Sequence, residues 1–242
     1  MRSYEWINGA FVPCSPASSR VAGPFDRADS WRHRDGRANG LTHHLERFGG
    51  VPDGFVQAML PLISAGDLFP RIGRRGSRLF LDVRPAPAPR TTTMLTYTPT
   101  APDPRTQPLL KGPDLDALAQ YRDRHQLPGT DDTVIVGVEG DMLETTTGAL
   151  LAWDGDTLVL PSGTWLPSVT SAQIVDRARA IGLSVSSRPL YPDDNMPLWF
   201  ANSLHGISPV TEIRSPGTTK PPSHPRTAEW QVWWWGNFAK FA

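Results

Sequence analysis

Apolar and polar positions alternate in RLFLDVRP, which predicts a strand with one buried face. The apolar run DTVIVGV predicts a second strand. MLETTTGALLAWDGDTLVLP predicts a strand, then a hairpin at Asp154-Gly155 and its return strand. SVSSRPLY, PLWFANSL and ISPVTEI add further strands. Helical spacing governs DGFVQAMLPLISAG and DLDALAQYRDRH, where Leu115, Leu118 and Tyr121 or Arg122 share a face. TSAQIVDRARAIG predicts a helix from Thr170 to a stop at Gly182. THHLERFGG predicts a short helix with Thr42 as N-cap and Gly49 or Gly50 as C-cap. EWING and AFVP predict two short strands around an Asn-Gly turn, and SWRHRDGRANGL a hairpin on Asp35-Gly36. Strands and helices are mixed along the whole chain, which places it in the α/β (α+β) class.

Proline interrupts this pattern twice. RPAPAPR and TPTAPDPRTQP read as extended linker, because proline lacks the donor and the φ freedom that helices and inner strands need. They predict a boundary near residue 104, with a smaller N-terminal domain (1–104) and a larger C-terminal domain (105–242). SPGTTKPPSHPR then sets off an aromatic tail, where Trp230, Trp233, Trp234, Phe238 and Phe241 fall at helical spacing. The tail is expected to dock on its own domain or on a second copy.

Charge narrows the partners. The 24 Lys and Arg balance the 24 Asp and Glu, so no overall field draws in nucleic acid or an acidic membrane. The arginine-rich RIGRRGSR reads as a solvated turn. The single cysteine, Cys14, excludes an internal disulfide and a multi-cysteine zinc site. Adjacent histidines such as His43 and His44 point to different helix faces, which suits chelation poorly. No apolar run reaches the length of a membrane span, and no signal-peptide pattern opens the chain, so a cytoplasmic protein is expected. Neither a Gly-x-Ser-x-Gly elbow nor a Gly-rich nucleotide loop is present.

Four features carry chemistry. Lys111 opens the segment leading into the DTVIVGV strand; a lysine amine with a lowered pKa attacks carbonyls. Taken alone it reads far more readily as a surface lysine at a helix start. Glu144 closes GVEGDMLE beside the small residues TTTG; a carboxylate there can hold a proton on a pyridine nitrogen. In LPSVTSAQIV, Val169 and Thr170 open a helix whose free N–H groups and hydroxyl suit a phosphate, though threonine also caps ordinary helices. In ANSLHGISPV, Ser203 and the Leu204 backbone offer a second set of donors.

In order and spacing these features resemble the class IV aminotransferases, the fold-type IV pyridoxal 5′-phosphate enzymes. That family includes branched-chain and D-amino-acid aminotransferases and 4-amino-4-deoxychorismate lyase. The resemblance runs from EWING to ISPV and is strongest from Lys111 to Val210. It implies a two-domain fold with pyridoxal phosphate as cofactor, and a homodimer. It assigns the Schiff-base lysine to Lys111 and the pyridine partner to Glu144. The phosphate turn falls on Ser168-Val169-Thr170, and the second phosphate contact on Ser203 and Leu204. HLERF matches the family's His-x-x-Arg-Leu, so Arg47 is expected at the phosphate, where a guanidinium fork suits it. The chain departs from the pattern at Ser168, Ser171, Gly148 and Pro197.

Two local likenesses point within the family to the lyase, which eliminates pyruvate to leave 4-aminobenzoate. ANSLHG resembles the lyases' Asn-Ala-Leu form, and Ser30 falls near a threonine associated with elimination. Arg84, at the end of a strand, is the candidate for the substrate carboxylate, ahead of Arg32 and His33; its bland reading is a surface arginine packing its stem on the sheet. An aminotransferase acting on an amino acid, a catalytically degenerate pyridoxal-phosphate binder, and a scaffold protein using the aromatic tail are the alternatives.

Overall fold

The computed structural model describes residues 1–15, 23–215 and 217–241. The chain forms two compact units. The first comprises Met1–Ala88, Leu110–Leu115 and Trp234–Ala242; the second comprises Pro89–Leu109 and Asp116–Trp233. The expectation of one boundary near 104 differs from this division. The N-terminal unit ends earlier, then takes back the short stretch around Lys111 and the chain's last residues.

In the first unit, β1 (Arg2–Ile7) and β2 (Ala10–Cys14) form a hairpin. Its turn residues Asn8 and Gly9 have φ of 49° and 83°, the paired positive values that a two-residue hairpin needs and Asn-Gly supplies. Next come β3 (Arg27–Ser30), β4 (His33–Arg34), β5 (Arg37–Ala38), α1 (Leu41–Phe48) and α2 (Phe55–Met59). A 3₁₀ turn, β6 (Asp67–Leu68), β7 (Arg71–Arg75) and β8 (Arg78–Val83) complete the N-terminal part. One antiparallel sheet runs β2-β1-β8-β7-β3. A smaller sheet joins β4, β5 and β6 to the tail strand Ala239–Lys240. Trp31, Phe48, Phe55, Met59, Ile63, Ile72 and Leu81 fill the core between them.

Two local expectations are corrected here. Helix α1 begins at Leu41 after a left-handed Gly40, so Thr42 lies inside it and does not cap it. The arginine-rich stretch is more than a solvated turn: it is strand β7, the Gly76-Ser77 turn and the start of β8. Arg71 pairs with the buried Asp82, and Arg75 lies over the Phe25 ring, so these charges have partners that no sequence spacing reveals.

The second unit holds β9 (Thr93–Thr96), α3 (Leu115–His125, from its second residue), β10 (Asp132–Val136), β11 (Met142–Thr145), β12 (Ala149–Asp154) and β13 (Thr157–Pro161). Then follow α4 (Val169–Ala180), β14 (Ser184–Arg188), β15 (Leu198–Asn202), β16 (Gly206–Arg214), β17 (Thr218–Thr219) and α5 (Thr227–Gly236, as far as Trp233). Their sheet runs β11-β10-β9-β16-β15-β12-β13-β14, with β17 on β16. The β12–β13 hairpin turns at Gly155-Asp156, one residue beyond the expected position. Helix α3 links the parallel neighbours β9 and β10, and α4 links the parallel neighbours β13 and β14. Such crossovers place helix N-termini at the carboxyl ends of strands, where open α/β sheets bind ligands.

Strand β9 lies between the two proline-rich stretches and went unpredicted. It is a central strand, because β10 and β16 both bond to it. The aromatic tail is helical only to Gly236, so Phe238 and Phe241 do not continue its stripe. Trp230 is fully buried and packs on Trp153 and Trp199, with ring centroids 5.6 and 5.7 Å away.

Candidate active site

Strand β3 organises the first unit's share of the predicted residues. The Ala28 amide donates to the Lys111 carbonyl at 2.7 Å. Gly112 makes this approach possible: its φ is 141°, and a Cβ there would lie 2.7 Å from the Arg27 Cα. The Lys-Gly junction is thus pinned to β3 and is not the first turn of a helix, since α3 starts at Leu115. The half-buried Lys111 side chain lies near enough to His44 for its charge to act on that ring.

Asp29, on β3, is completely buried. It accepts from Arg47 Nε and Nη2 at 2.7 and 2.8 Å and lies 2.8 Å from His44 Nδ1. Burial alone would raise its pKa. His44 and Arg47 overcome that and hold the carboxyl far below the usual range. The wholly buried His44 is pushed downward, chiefly by desolvation and further by the charges of Arg47 and Lys111, against the pull of Asp29. His44 and Arg47 thus hold the Asp29 carboxylate from two sides. Arg47 has one edge of its guanidinium, Nε and Nη2, fixed by an aspartate the sequence did not mark.

Ser30 follows on the same strand and is buried. Its hydroxyl accepts from Arg84 Nη2 at 3.3 Å. Arg84 also donates from Nε to the Phe69 carbonyl and lies over the Phe69 ring. The structure thus gathers Lys111, Arg47, Ser30 and Arg84 around β3. Arg32, a weaker carboxylate candidate, is buried and bonded to Asp67. Burial pushes His33 down to about 4, so its ring is neutral at pH 7.

The second unit holds the rest. Glu144, near the end of β11, is 7% exposed. Its Oε1 accepts from Arg105 Nη1 and from the Leu166 amide. That amide opens the loop leading into α4, so Glu144 is tied to the start of the helix. Ser168 caps α4, its hydroxyl accepting from the Ser171 amide at 3.2 Å. Val169 and Thr170 are the first two helical residues, whose amides have no intrahelical partner by geometry. Ser171 is 2% exposed and its Oγ has no hydrogen-bond partner. A buried hydroxyl left without a partner at a helix N-terminus is the chemistry an anion would complete.

The TTTG run has a different use from the one expected. Thr145, Thr146 and Thr147 all donate hydroxyls to the buried Asp132. This fixes the turn after Glu144. Gly148 is required there, because a Cβ would lie 2.5 Å from the Phe200 ring. Asn202 donates to the Thr147 carbonyl and accepts the Leu204 and His205 amides. The Ser203-Leu204 turn is thereby joined to the turn that follows Glu144.

Asp29, Asp103 and Arg105 went unnoticed in the sequence. Asp29 breaks no pattern in RADSW, and the other two sit inside apparent linker. Among the described residues, no three His, Cys, Asp or Glu side chains gather into a metal site, and no helix is long and apolar enough to cross a membrane.

The family described as amino-transferase class IV matches residues 54–213. The sequence matches none of the curated proteins with which it was compared. Solved structures share the fold. The 4-amino-4-deoxychorismate lyase of Pseudomonas aeruginosa is 20% identical, with a TM-score of 0.72 over 95% of this chain and 97% of that one. A hypothetical aminotransferase from Mycobacterium tuberculosis, in its pyridoxal-phosphate-bound form, is 17% identical, with a TM-score of 0.73 over 98% of each chain. The branched-chain aminotransferase of Thermoproteus uzoniensis, with norvaline, is 13% identical, with a TM-score of 0.76 over 98% and 96%.

Proposed function

Because the chain belongs to the class IV aminotransferase family, whose members are pyridoxal-phosphate enzymes, we propose that it binds this cofactor through Lys111 and acts as a lyase on a small amino substrate. The closest fit is elimination of pyruvate from 4-amino-4-deoxychorismate to give 4-aminobenzoate. The observation that carries the reading is the pinning of Lys111 to β3, beside the Asp29–His44–Arg47 network and two residues from Ser30 by way of Ala28. The unpartnered Ser171 hydroxyl at the start of α4 supports a bound phosphate.

When bound, pyridoxal phosphate supplies an electron sink for the pair left by a departing α-proton. Lys111 is the covalent anchor and, once displaced by substrate, the base that removes that proton. Glu144 holds a proton on the pyridine nitrogen. The Val169 and Thr170 amides, with the hydroxyls of Thr170 and Ser171, bind the phosphate, and Arg47, Ser203 and Leu204 add to them. Arg84, its guanidinium set by Phe69 and Ser30, receives the substrate carboxylate. Ser30 acts on the leaving group: an oxygen that accepts from a guanidinium has a more polarised O–H, suited to donate to the enolate oxygen as its bond to carbon breaks. The enol then takes a proton at carbon and becomes pyruvate. The working form is a homodimer in the cytoplasm, which light scattering and fractionation test.

An aminotransferase acting on an amino acid is the second reading. Lys111 alone suffices for its proton transfer, and two of the three solved relatives above are called aminotransferases. Borohydride reduction of the protein with added pyridoxal phosphate, followed by peptide mapping, should fix the cofactor on Lys111. An adduct on another lysine, or none, rejects the cofactor reading. Aminodeoxychorismate should then yield 4-aminobenzoate and pyruvate in equal amounts. A keto acid formed from an amino acid, without that pair of products, makes the protein an aminotransferase.

A further inference from the structure

The proline-rich segment ahead of Lys111 carries two charges that the mechanism above leaves unused, the buried Arg105 and the exposed Asp103. The Arg105 side chain is 3% exposed. Its Nε and Nη2 donate to Asp103 at 2.9 and 2.7 Å, and Nη2 also reaches the Thr164 carbonyl at 2.9 Å. Its Nη1 donates to Glu144 Oε1. The Asp103 carboxylate accepts the Arg105 amide as well, an Asx-type turn over Asp103-Pro104-Arg105, in which the fixed φ of Pro104 presets the segment.

We propose that Asp103 and Arg105 are positioning residues for Glu144: Arg105 fixes the carboxylate against the loop before α4, and Asp103 offsets the guanidinium charge so that Glu144 meets its partner as a full anion. The proposal rests on the reading of Glu144 as the partner of the pyridine nitrogen. Without Asp103, the Arg105–Glu144 pair would be neutral and could oppose little positive charge on a ring. With it, the three groups sum to one negative charge. Burial acts against the charge of Arg105, but the Asp103 hydrogen bond and the Glu144 charge outweigh it and raise its pKa. The neighbouring ionisable groups are engaged elsewhere. Asp132 on β10 binds three threonine hydroxyls. Tyr121 on α3 donates to the Val134 carbonyl, and burial, with the charge of Asp103, pushes it up to about 12.

The test follows Glu144 directly. Cofactor-free protein carrying ¹³C-carboxyl glutamate is titrated by NMR, with Glu144→Gln to assign the signal. Asp103→Asn should lower the Glu144 midpoint, by about one pH unit, and Arg105→Gln should raise it by about 1–3. Arg105→Lys keeps the charge, guards against a folding failure, and should move the midpoint less than Arg105→Gln. Midpoints that stay put, or that move in the same direction in Asp103→Asn and Arg105→Gln, overturn the proposal. With ¹⁵N-labelled pyridoxal phosphate bound, Asp103→Asn should also lower the pH at which the ring nitrogen loses its proton. Failure of wild-type protein to bind the cofactor while the Glu144 midpoints shift as stated rejects the cofactor reading alone. Binding at Lys111 with unmoved midpoints rejects this proposal alone.

Discussion

Replacing Asp29 by Asn removes one charge from the most buried polar cluster of the first unit without changing its shape. Asp29 is fully buried, and Arg47 is 17% exposed. The variant leaves the guanidinium without its anion and turns one acceptor oxygen into a donor aimed at other donors. Breaking a buried pair by removing one partner costs about 3–5 kcal/mol. In a chain of this length each kcal/mol moves Tm by about 2–4 °C, so a drop of roughly 10 °C is expected. The pH dependence has a definite sign. A carboxyl held below its unfolded value gives stability that is complete above about pH 4 and is lost as pH falls toward the folded pKa. The difference between wild type and Asp29→Asn should therefore be full at pH 7 and shrink in acid. Urea unfolding at both pH values measures it. Adding Arg47→Gln to Asp29→Asn should cost less than the sum of the single changes, because the unpaired cation is then gone. A loss below about 1 kcal/mol at pH 7, or strict additivity, would refute this account of the cluster.

Three further outcomes follow from local geometry. Gly112→Ala should destabilise by about 1–3 kcal/mol, since it combines a φ of 141° with a 2.7 Å approach to Arg27, and should reduce borohydride labelling of Lys111 at fixed cofactor concentration. Ser171→Ala should leave the cofactor-free protein as stable as wild type or up to about 1 kcal/mol more so, because its hydroxyl is buried unpaired, while weakening pyridoxal-phosphate binding about tenfold in a fluorescence titration. Trp199→Ala should cost about 3–5 kcal/mol in urea unfolding, because the ring is fully buried against Trp153 and Trp230.

The sequence by itself determined the features that depend on neighbours along the chain. Asn8-Gly9 and Asp35-Gly36 dictate hairpins because those residues tolerate positive φ. The apolar runs of β10, β12 and β15 dictate buried strands. Lys111, Glu144 and the Val169-Thr170 helix start stood out as candidates because their order and spacing resemble a family's. Tertiary structure decided what distant segments do to one another. Strand β9 looked like linker because prolines flank it, yet β10 and β16 supply its hydrogen bonds from 36 or more residues away. Gly40, not Thr42, precedes α1, and its left-handed φ of 73° makes the turn into the helix. Asp29, Asp103 and Arg105 carry no periodic signal; Asp29 meets Arg47 and Arg105 meets Glu144 only through the fold, and Asp103 acts through its neighbour Arg105. A charge buried by folding must find its partner in space, and no local pattern records which one it finds.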